Sequence, residues 1–233
     1  MIDRAAFFDA VRKSPFPGTL TKGQVSGMEA ILAEWERRQM TDLRWLAYML
    51  ATAFHETARK MQPITEYGQK SYFNKYEGRK DLGNTVPGDG YRFRGRGYAM
   101  ITGRRNYNLA SLKLGVDLVA YPERALEPTL AAAIMFLGMT EGWFTGKELS
   151  DYFNATTTDW ANARRIVNGA DKAATIAGYA KAFHAALLAA DELDFVPPTL
   201  QPQPDDPGPS PSDGEGVPAL SLWQRFWRWL FNL

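Results

Sequence analysis

The chain has 233 residues, 45% of them hydrophobic and 23% charged, which is the composition of a globular protein with room for one well-buried domain and an appendage. Its 27 Lys and Arg residues and 26 Asp and Glu residues give a net charge of +1, so no global field favours nucleic acid as a partner. It contains no cysteine and only two histidines, which excludes disulfides and sulfur-ligated metals and leaves few ligands for a histidine-bound metal.

Helical periodicity is clear near the start of the chain. Thr21 can cap a helix that runs toward Arg38, and Thr41 or Asp42 can cap the next one. Apolar residues recur at helical spacing in this second segment, and Pro63 sets its limit because the residue before a proline disfavours the helical conformation. The two segments therefore predict consecutive amphipathic helices.

More helix is predicted on the far side of a loop-rich segment. Residues 67–105 are rich in glycine, aromatic and polar side chains, which favours site-forming loops or a short hairpin. Residues 1–195 together predict one mainly α domain with a minor β element. The three later helices are expected over residues 128–144, 158–167 and 171–190.

The composition changes after this domain. Residues 196–218 hold eight of the 14 prolines and almost nothing apolar, which predicts an extended, flexible linker. Residues 219–233 place polar side chains on one helical stripe and Trp, Leu and Phe elsewhere, which predicts an amphipathic helix too short to span a bilayer. We expect this tail to contact a membrane surface, and the alternative is packing onto the first domain or self-association. The side chains expected at the membrane are Trp223, Arg225, Trp227, Arg228 and Trp229.

One carboxyl group near the end of the second helix is a candidate general acid. Glu56, in Phe54-His55-Glu56-Thr57, lies beside the most apolar face of that helix. The partial negative charge at a helix C-terminus favours a protonated carboxyl group, which is the form that a general acid needs. Position alone favours the simpler interpretation, a solvated glutamate at the end of an ordinary helix. A His-Glu-x-x-His zinc motif is excluded because Arg59 stands where the second histidine would be.

Hydrolysis of a glycosidic bond by such an acid requires a second carboxylate to activate water or attack the sugar. Glu66 and Glu77 both lie in the loop-rich segment, and spacing alone does not choose between them. The four candidates after the Glu56 helix are Glu66, Glu77, Asp81 and Asp89.

Residues 88–107 combine clustered glycines with arginines and aromatic side chains. This composition suits a cleft where sugar rings stack and the backbone comes close to a ligand. A dinucleotide fingerprint is excluded because Met100 stands where a third glycine is needed. The near-neutral net charge argues against a nucleic-acid patch.

Two ordered motifs give these residues a specific resemblance. The sequence FHET at 54–57, followed by GRGYAMIT at 95–102 and Asn106-Tyr107, resembles glycoside hydrolase family 19, whose members include plant-type chitinases and many phage endolysins. The resemblance covers residues 45 to 168, approximately. The phage-endolysin branch is the closer match, because the chain is short and Gly-Asp-Gly leads directly into the Arg-Gly-Arg-Gly segment.

The resemblance implies a bilobal, lysozyme-like helical fold and an inverting reaction without a metal or organic cofactor. Glu56 would protonate the leaving oxygen, and Glu66, with Glu77 as the alternative, would deprotonate the attacking water. Thr102 would help to hold that water. Met100 departs from the family, in which glutamine is common, so one polar sugar contact is expected to be lost. The residues expected at the sugar are His55, Tyr67, Arg96, Tyr98, Asn106 and Asn168.

Peptidoglycan is the expected substrate, and chitin is the alternative because both polymers contain β-1,4-linked N-acetylated amino sugars. The endolysin resemblance, the lack of cysteine and the absence of a signal-peptide pattern favour peptidoglycan. We expect a muramidase-like endolysin, made in the cytoplasm of a host bacterium, that acts on the cell wall after release and causes lysis. Its partners would be peptidoglycan strands and, through the tail, a bacterial membrane or lipopolysaccharide, with no nucleic acid. The alternative of another class is a non-catalytic wall-binding or membrane-disrupting protein that acts through its tail.

Overall fold

The computed structural model describes residues 1–191, and within them the chain is mainly helical. Two short strands, β1 (Ile64–Thr65) and β2 (Arg96–Gly97), form an antiparallel pair. This architecture confirms the mainly α fold with a minor β element. The α-helices are α1 (Arg4–Lys13), α2 (Lys22–Arg37), α3 (Leu43–Glu56), α4 (Asp89–Arg92), α5 (Arg104–Leu114), α6 (Pro128–Thr140) and α7 (Ala173–Ala189). Short 3-10 helices cover Lys70–Tyr76, Lys80–Leu82, Pro122–Leu126, Leu149–Asp151 and Asn162–Ile166.

The linker and tail expected at 196–218 and 219–233, with the proposed membrane-contacting side chains, lie outside the described residues. Among the helices of residues 1–191, none combines the length and apolar character needed to cross a membrane.

Capping side chains fix the starts of α2 and α3. The Gln24 backbone N–H donates to Thr21 Oγ1 at 3.2 Å, and the Gln24 carboxamide accepts from the Thr21 N–H at 2.8 Å, which is a complete capping box. Asp42 caps α3 by accepting from the Arg44 N–H at 3.0 Å. Both caps agree with the sequence, and α3 ends at Glu56, before Pro63.

The later helices follow the sequence less closely. Helix α7 confirms the expected helix at 171–190, but α6 ends at Thr140 rather than at residue 144, because Gly142 adopts a left-handed φ of 69°. The helix expected at 158–167 is corrected to the 3-10 helix Asn162–Ile166. There Asp159 accepts hydrogen bonds from the backbone and side chain of Asn162, which favours a tight turn.

The first core is built around α3, whose residues from Leu46 to Phe54 are all buried. Helix α3 packs against α7, and α7 packs against α1. At the end of α3 the Phe54 ring lies 4.9 Å from Phe16, 4.8 Å from Tyr179 and 5.8 Å from Phe183, measured between centroids. This packing holds the C-terminal turn of α3, and therefore Glu56, on a rigid element.

A second group of buried apolar side chains forms a core around α5 and one side of α6. Phe93 and Tyr107 are among its members, with ring centroids 5.2 Å apart. This core supports the segment that runs from β2 into α5. Its buried residues are Phe93, Ile101, Tyr107, Ala110, Leu118, Ala125, Ile134 and Trp143.

The strand pair joins the chain that leaves α3 to the glycine-rich segment. Ile64 pairs with Gly97 and Thr65 with Arg96. The ladder continues by one hydrogen bond, because the Glu66 N–H donates to the Gly95 carbonyl at 2.8 Å. The strands therefore place Glu66 beside Gly95, although 28 residues lie between them in the sequence.

Gly27 of α2 is required for close contact with the loop that follows α3. A Cβ at Gly27 would lie 1.5 Å from the Met61 carbonyl oxygen, whereas a Cβ at Gly23 of the same helix would meet no atom closer than 3.6 Å. We therefore expect Gly27→Ala to lower the free energy of unfolding by at least about 3 kcal/mol, because backbone must move. Urea unfolding measures this.

Gly23→Ala is the matched control. It has room for its methyl group and gains helix propensity, so its stability should stay equal or rise by up to about 1 kcal/mol. Equal stabilities of the two variants would show that α2 does not contact the Met61 backbone as described.

Candidate active site

A cleft of about 850 Å³ runs across the surface next to the end of α3. Its lining includes residues next to the first core, residues next to the second core, residues of β1, and the loops around residues 145 and 167. Its volume is that of a site for a ligand of several rings. The residues that line it are His55, Glu56, Ala58, Ile64, Glu66, Tyr67, Tyr76, Arg79, Leu82, Ala99, Met100, Thr102, Asn106, Phe144, Thr145, Lys147, Arg165, Val167, Asn168 and Gly169.

Glu56 stands in this cleft and is held by a buried cation. Arg164 Nη1 donates to Glu56 Oε1 at 2.7 Å, and the Arg164 and Glu56 side chains are 4% and 18% exposed. Arg164 Nε also donates to the Asp171 carbonyl at 3.2 Å, which fixes the guanidinium. One oxygen of Glu56 is thus oriented by a charge-assisted hydrogen bond, while the carboxyl group still borders the cleft.

No motif in the sequence pointed to Arg164. It lies four residues before Asn168, which the resemblance did identify, but its partner Glu56 is 108 residues away in the chain. The spacing of residues within one segment cannot predict a contact between residues so far apart in the sequence.

Glu66 lines the same cleft, immediately after β1. Its Oε1 accepts from Lys75 Nζ at 3.2 Å and from the Tyr76 hydroxyl at 3.1 Å, and its Oε2 accepts from the Gly95 N–H at 3.2 Å. Burial and the charge of Glu66 raise the pKa of Tyr76, so at neutral pH its hydroxyl is protonated and donates. These three bonds leave part of the acceptor capacity of the carboxylate for a further donor, such as water.

The other three acidic candidates do not line the cleft, and each has a structural partner. Glu77 accepts from the N–H groups of Gly88 at 2.6 Å and Gly90 at 2.9 Å, and so anchors the start of α4. Asp89 is buried and paired with Arg104 at 2.6 Å, whose hydrogen bonds hold the pKa of Asp89 below its usual value. Asp81 is an exposed partner of Arg79. The geometry therefore favours Glu66 over Glu77 as the second carboxylate.

Thr102 and Asn106 form one wall of the cleft. The Thr102 hydroxyl donates to the Met100 carbonyl at 2.9 Å, so its oxygen lone pairs are the part that it offers to a ligand. The Asn106 carboxamide donates to the Thr102 carbonyl at 3.1 Å and fixes this turn. Met100 has a positive φ of 56° and places its own side chain in the cleft.

Three more of the expected sugar contacts are in the cleft. Tyr67 is 67% exposed, with its hydroxyl 3.1 Å from Lys60 Nζ, which leaves its ring accessible for stacking. Asn168 is exposed, and its carboxamide oxygen accepts from the Gly169 N–H at 2.8 Å. His55 is partly buried next to Glu56. All three are therefore placed where a glycan in the cleft would meet them.

Arg96 and Tyr98 are corrected, because they lie inside the protein rather than at the cleft. Arg96 is 5% exposed and donates to the Tyr107 hydroxyl at 2.8 Å and to the Arg92 carbonyl at 2.9 Å. Tyr98 is fully buried, and its hydroxyl donates to the Gly27 carbonyl at 3.3 Å. Their contribution is to hold the glycine-rich segment in place, not to contact a sugar.

Within residues 1–191, no three or more His, Cys, Asp or Glu side chains converge in a way that could hold a metal ion.

Both histidines make stability depend on pH. Burial lowers the pKa of His55, where the Glu56 charge opposes and the Arg164 charge reinforces the shift, and burial also lowers the pKa of His184. As pH falls below 6.5, the ordinary histidine value, the unfolded chain therefore binds protons that the folded chain does not. We expect a lower free energy of unfolding at pH 5.5 than at pH 7.5.

Urea unfolding of the wild type and of His184→Gln at both pH values checks this. His184 lies outside the cleft, so the variant separates stability from ligand binding. The difference between the two pH values should shrink in the variant. Greater wild-type stability at pH 5.5 would contradict the direction of the shifts.

Comparison with known proteins relates the fold and the cleft to enzymes of known structure. No family model matches the chain. Its structure is similar to that of chitinase C from Streptomyces griseus HUT6037, with a TM-score of 0.53 and 18% identity, over 81% of this chain and 76% of that one. It is also similar to a bacterial family 19 chitinase described as differing from plant enzymes, with a TM-score of 0.52 and 17% identity, over 80% of this chain and 94% of that one.

The chain has the fold of a family 19 chitinase. This confirms the helical, lysozyme-like fold that the sequence motifs implied. At 17–18% identity the likeness concerns the fold, so the chemistry has to be argued from the cleft itself.

Proposed function

We propose that this protein is a glycoside hydrolase that cleaves β-1,4 bonds between N-acetylated amino sugars, with peptidoglycan as its substrate. The observation that carries the proposal is the presence of two supported carboxyl groups, Glu56 and Glu66, in one cleft of a fold found in chitinases. An acid and a base on the two sides of a glycosidic bond are what its hydrolysis requires.

In the proposed reaction Glu56 is the general acid. It donates its proton to the leaving glycosidic oxygen as the bond to the anomeric carbon breaks. Arg164 holds the other oxygen of this carboxyl group and stabilises the carboxylate that remains. Burial lowers the pKa of the neighbouring His55, which is therefore neutral at pH 7 and adds no positive charge there.

Glu66 is the proposed general base. It accepts a proton from water, whose oxygen attacks the anomeric carbon and inverts its configuration. The Thr102 oxygen accepts the second hydrogen of that water, because its own hydroxyl proton is engaged by the Met100 carbonyl. Lys75 and Tyr76 keep the Glu66 carboxylate in place. The step consumes one water and yields two shorter glycans, and no cofactor takes part.

The choice of peptidoglycan over chitin rests on the endolysin-like sequence motifs. Chitin is the second candidate, because the similar solved structures are described as chitinases. Both polymers present the same type of bond to Glu56 and Glu66, so only substrate trials separate them.

The test is a comparison of purified Gram-negative peptidoglycan with soluble chitin hexamer. Peptidoglycan glycosidase activity produces new reducing ends and loss of turbidity, and a peptidase would instead release free amino groups. Hydrolysis of the hexamer alone would assign the protein as a chitinase. Activity on neither substrate would overturn the proposal.

We further propose that the protein acts as an endolysin made in a bacterial cytoplasm, with residues 219–233 as a membrane-contacting accessory. Removal of these residues should reduce binding to anionic liposomes and leave hydrolysis of purified peptidoglycan intact. Unchanged liposome binding would remove the membrane role of the tail.

A further inference from the structure

Two cationic side chains lie on one wall of the cleft. Lys147 and Arg165 are both exposed and both line it. The Thr145 hydroxyl lies 2.6 Å from the Arg165 carbonyl oxygen and 3.0 Å from the Ile166 carbonyl oxygen. The Lys147 N–H donates to the Thr145 hydroxyl oxygen at 3.3 Å. The Thr145 hydroxyl therefore connects the loop that contains Lys147 to the loop that contains Arg165, so the two cationic residues lie on adjacent segments of backbone.

These two cations differ from the other charges of the cleft, which are compensated. Glu56 pairs with Arg164 and Glu66 with Lys75, so the two carboxyl groups have partners of their own. The remaining cation in the lining, Arg79, pairs with Asp81.

Lys147 and Arg165 have no such partner in the part of the chain that the structure describes. In residues 1–191 neither forms an ion pair, and the Arg165 guanidinium has only a long hydrogen bond, 3.4 Å, to the neutral Asn162 side chain. This wall of the cleft therefore carries two uncompensated positive charges, which a neutral polysaccharide does not require.

We propose that Lys147 and Arg165 form a carboxylate-binding site, which selects a glycan that carries acidic substituents. The peptide stems of peptidoglycan end in carboxylates and are attached along its glycan strand, whereas chitin carries no anionic group. The inference rests on the proposed glycosidase function and explains how one catalytic pair would favour peptidoglycan. A guanidinium and an ammonium group on adjacent loops suit carboxylates that approach from the side of the strand.

The contribution of this site is expected to be moderate and sensitive to salt. Each exposed ion pair changes affinity by about a few-fold at low ionic strength, and two together by about tenfold. Because the Debye length is about 10 Å at 0.1 M salt and about 3 Å at 1 M, added salt should weaken binding of acidic glycan and not of neutral chitin oligomers.

The experiment compares wild type with the double variant Lys147→Ala/Arg165→Ala on three substrates. These are peptidoglycan, the same peptidoglycan with its carboxyl groups amidated, and chitin hexamer. The ratio of kcat/KM on native to amidated peptidoglycan should be about tenfold higher for the wild type than for the double variant. Lys13→Ala/Lys181→Ala removes two exposed cations that do not line the cleft, and should leave that ratio unchanged.

Sedimentation with peptidoglycan in a Glu56→Gln background separates this inference from the proposed function. The double variant should there bind native peptidoglycan about tenfold more weakly and bind amidated peptidoglycan no more weakly. Equal discrimination between native and amidated substrate by wild type and double variant would overturn the carboxylate site while leaving the glycosidase intact. If wild type hydrolyses none of the three substrates and does not distinguish native from amidated peptidoglycan in sedimentation, both proposals fall.

Discussion

Glu56→Gln is expected to reduce hydrolysis of peptidoglycan by about 1,000-fold, because general acid catalysis contributes about 100- to 10,000-fold. Glutamine has the shape of glutamic acid, and its carboxamide oxygen can still accept the hydrogen bond from Arg164. It cannot transfer a proton to the leaving oxygen. The loss should therefore appear in kcat, with KM changed much less.

Loss of charge next to the buried guanidinium also has a cost in stability. Arg164 is 4% exposed, so we expect the Glu56→Gln protein to be less stable by about 1–3 kcal/mol. Glu36→Gln is a matched control, because Glu36 forms a two-point ion pair with Arg4 at 2.8 Å and lies outside the cleft. The control should lose stability and keep its activity. Wild-type activity in Glu56→Gln would remove this residue from the mechanism.

Glu66→Ala has the second large expected effect, a loss of about 100- to 10,000-fold in kcat when no base activates the attacking water. Lys75 is 40% exposed and can be solvated, but the N–H of buried Gly95 loses its acceptor. We therefore expect the variant to be less stable by about 1–3 kcal/mol, and kcat is compared at a temperature where it is folded. The deleted carboxylate leaves space for a small anion. Added formate or azide should therefore restore part of the activity, and it should not do so in Glu56→Gln.

Glu77→Ala decides between the two carboxylates that spacing left open. Glu77 holds the N–H groups of Gly88 and Gly90, so its removal should lower the unfolding midpoint and leave kcat within about threefold at temperatures where the protein is folded. The reverse pattern, with activity lost in Glu77→Ala and kept in Glu66→Ala, would move the general base to Glu77.

Much of the helical framework was predictable because its signals are local. Thr21 and Asp42 cap α2 and α3 through backbone groups within three residues, so the sequence near each helix start contains the whole interaction. Helix α6 was predicted four residues too long, because the left-handed φ of Gly142 that stops it depends on the turn beyond. The 3-10 helix after Asp159 was predicted as an α-helix, because an aspartate that accepts from the N–H three residues ahead is also the pattern of an α-helix N-cap.

The candidate site was only partly predictable, because its arrangement depends on contacts between distant residues. Glu56 and Glu66 were both named from the sequence, with Glu77 as the alternative to Glu66. The contact that places Glu66 in the cleft depends on the pairing of β1 with β2 beside Gly95, which the sequence did not show. Tyr98 was expected at the sugar because tyrosines often stack on sugars. It is instead buried against Gly27, 71 residues away, a contact that its own neighbours in sequence do not reveal.

The most direct test of the account is digestion of purified Gram-negative peptidoglycan in water enriched in oxygen-18, with the fragments analysed by mass spectrometry. Wild type is predicted to create saccharide reducing ends that carry one heavy oxygen at the anomeric carbon, and Glu56→Gln is predicted to create none at a comparable time. Label found in new peptide carboxyl groups, or saccharide ends released equally by both proteins, would contradict a glycosidase that uses Glu56 as its acid.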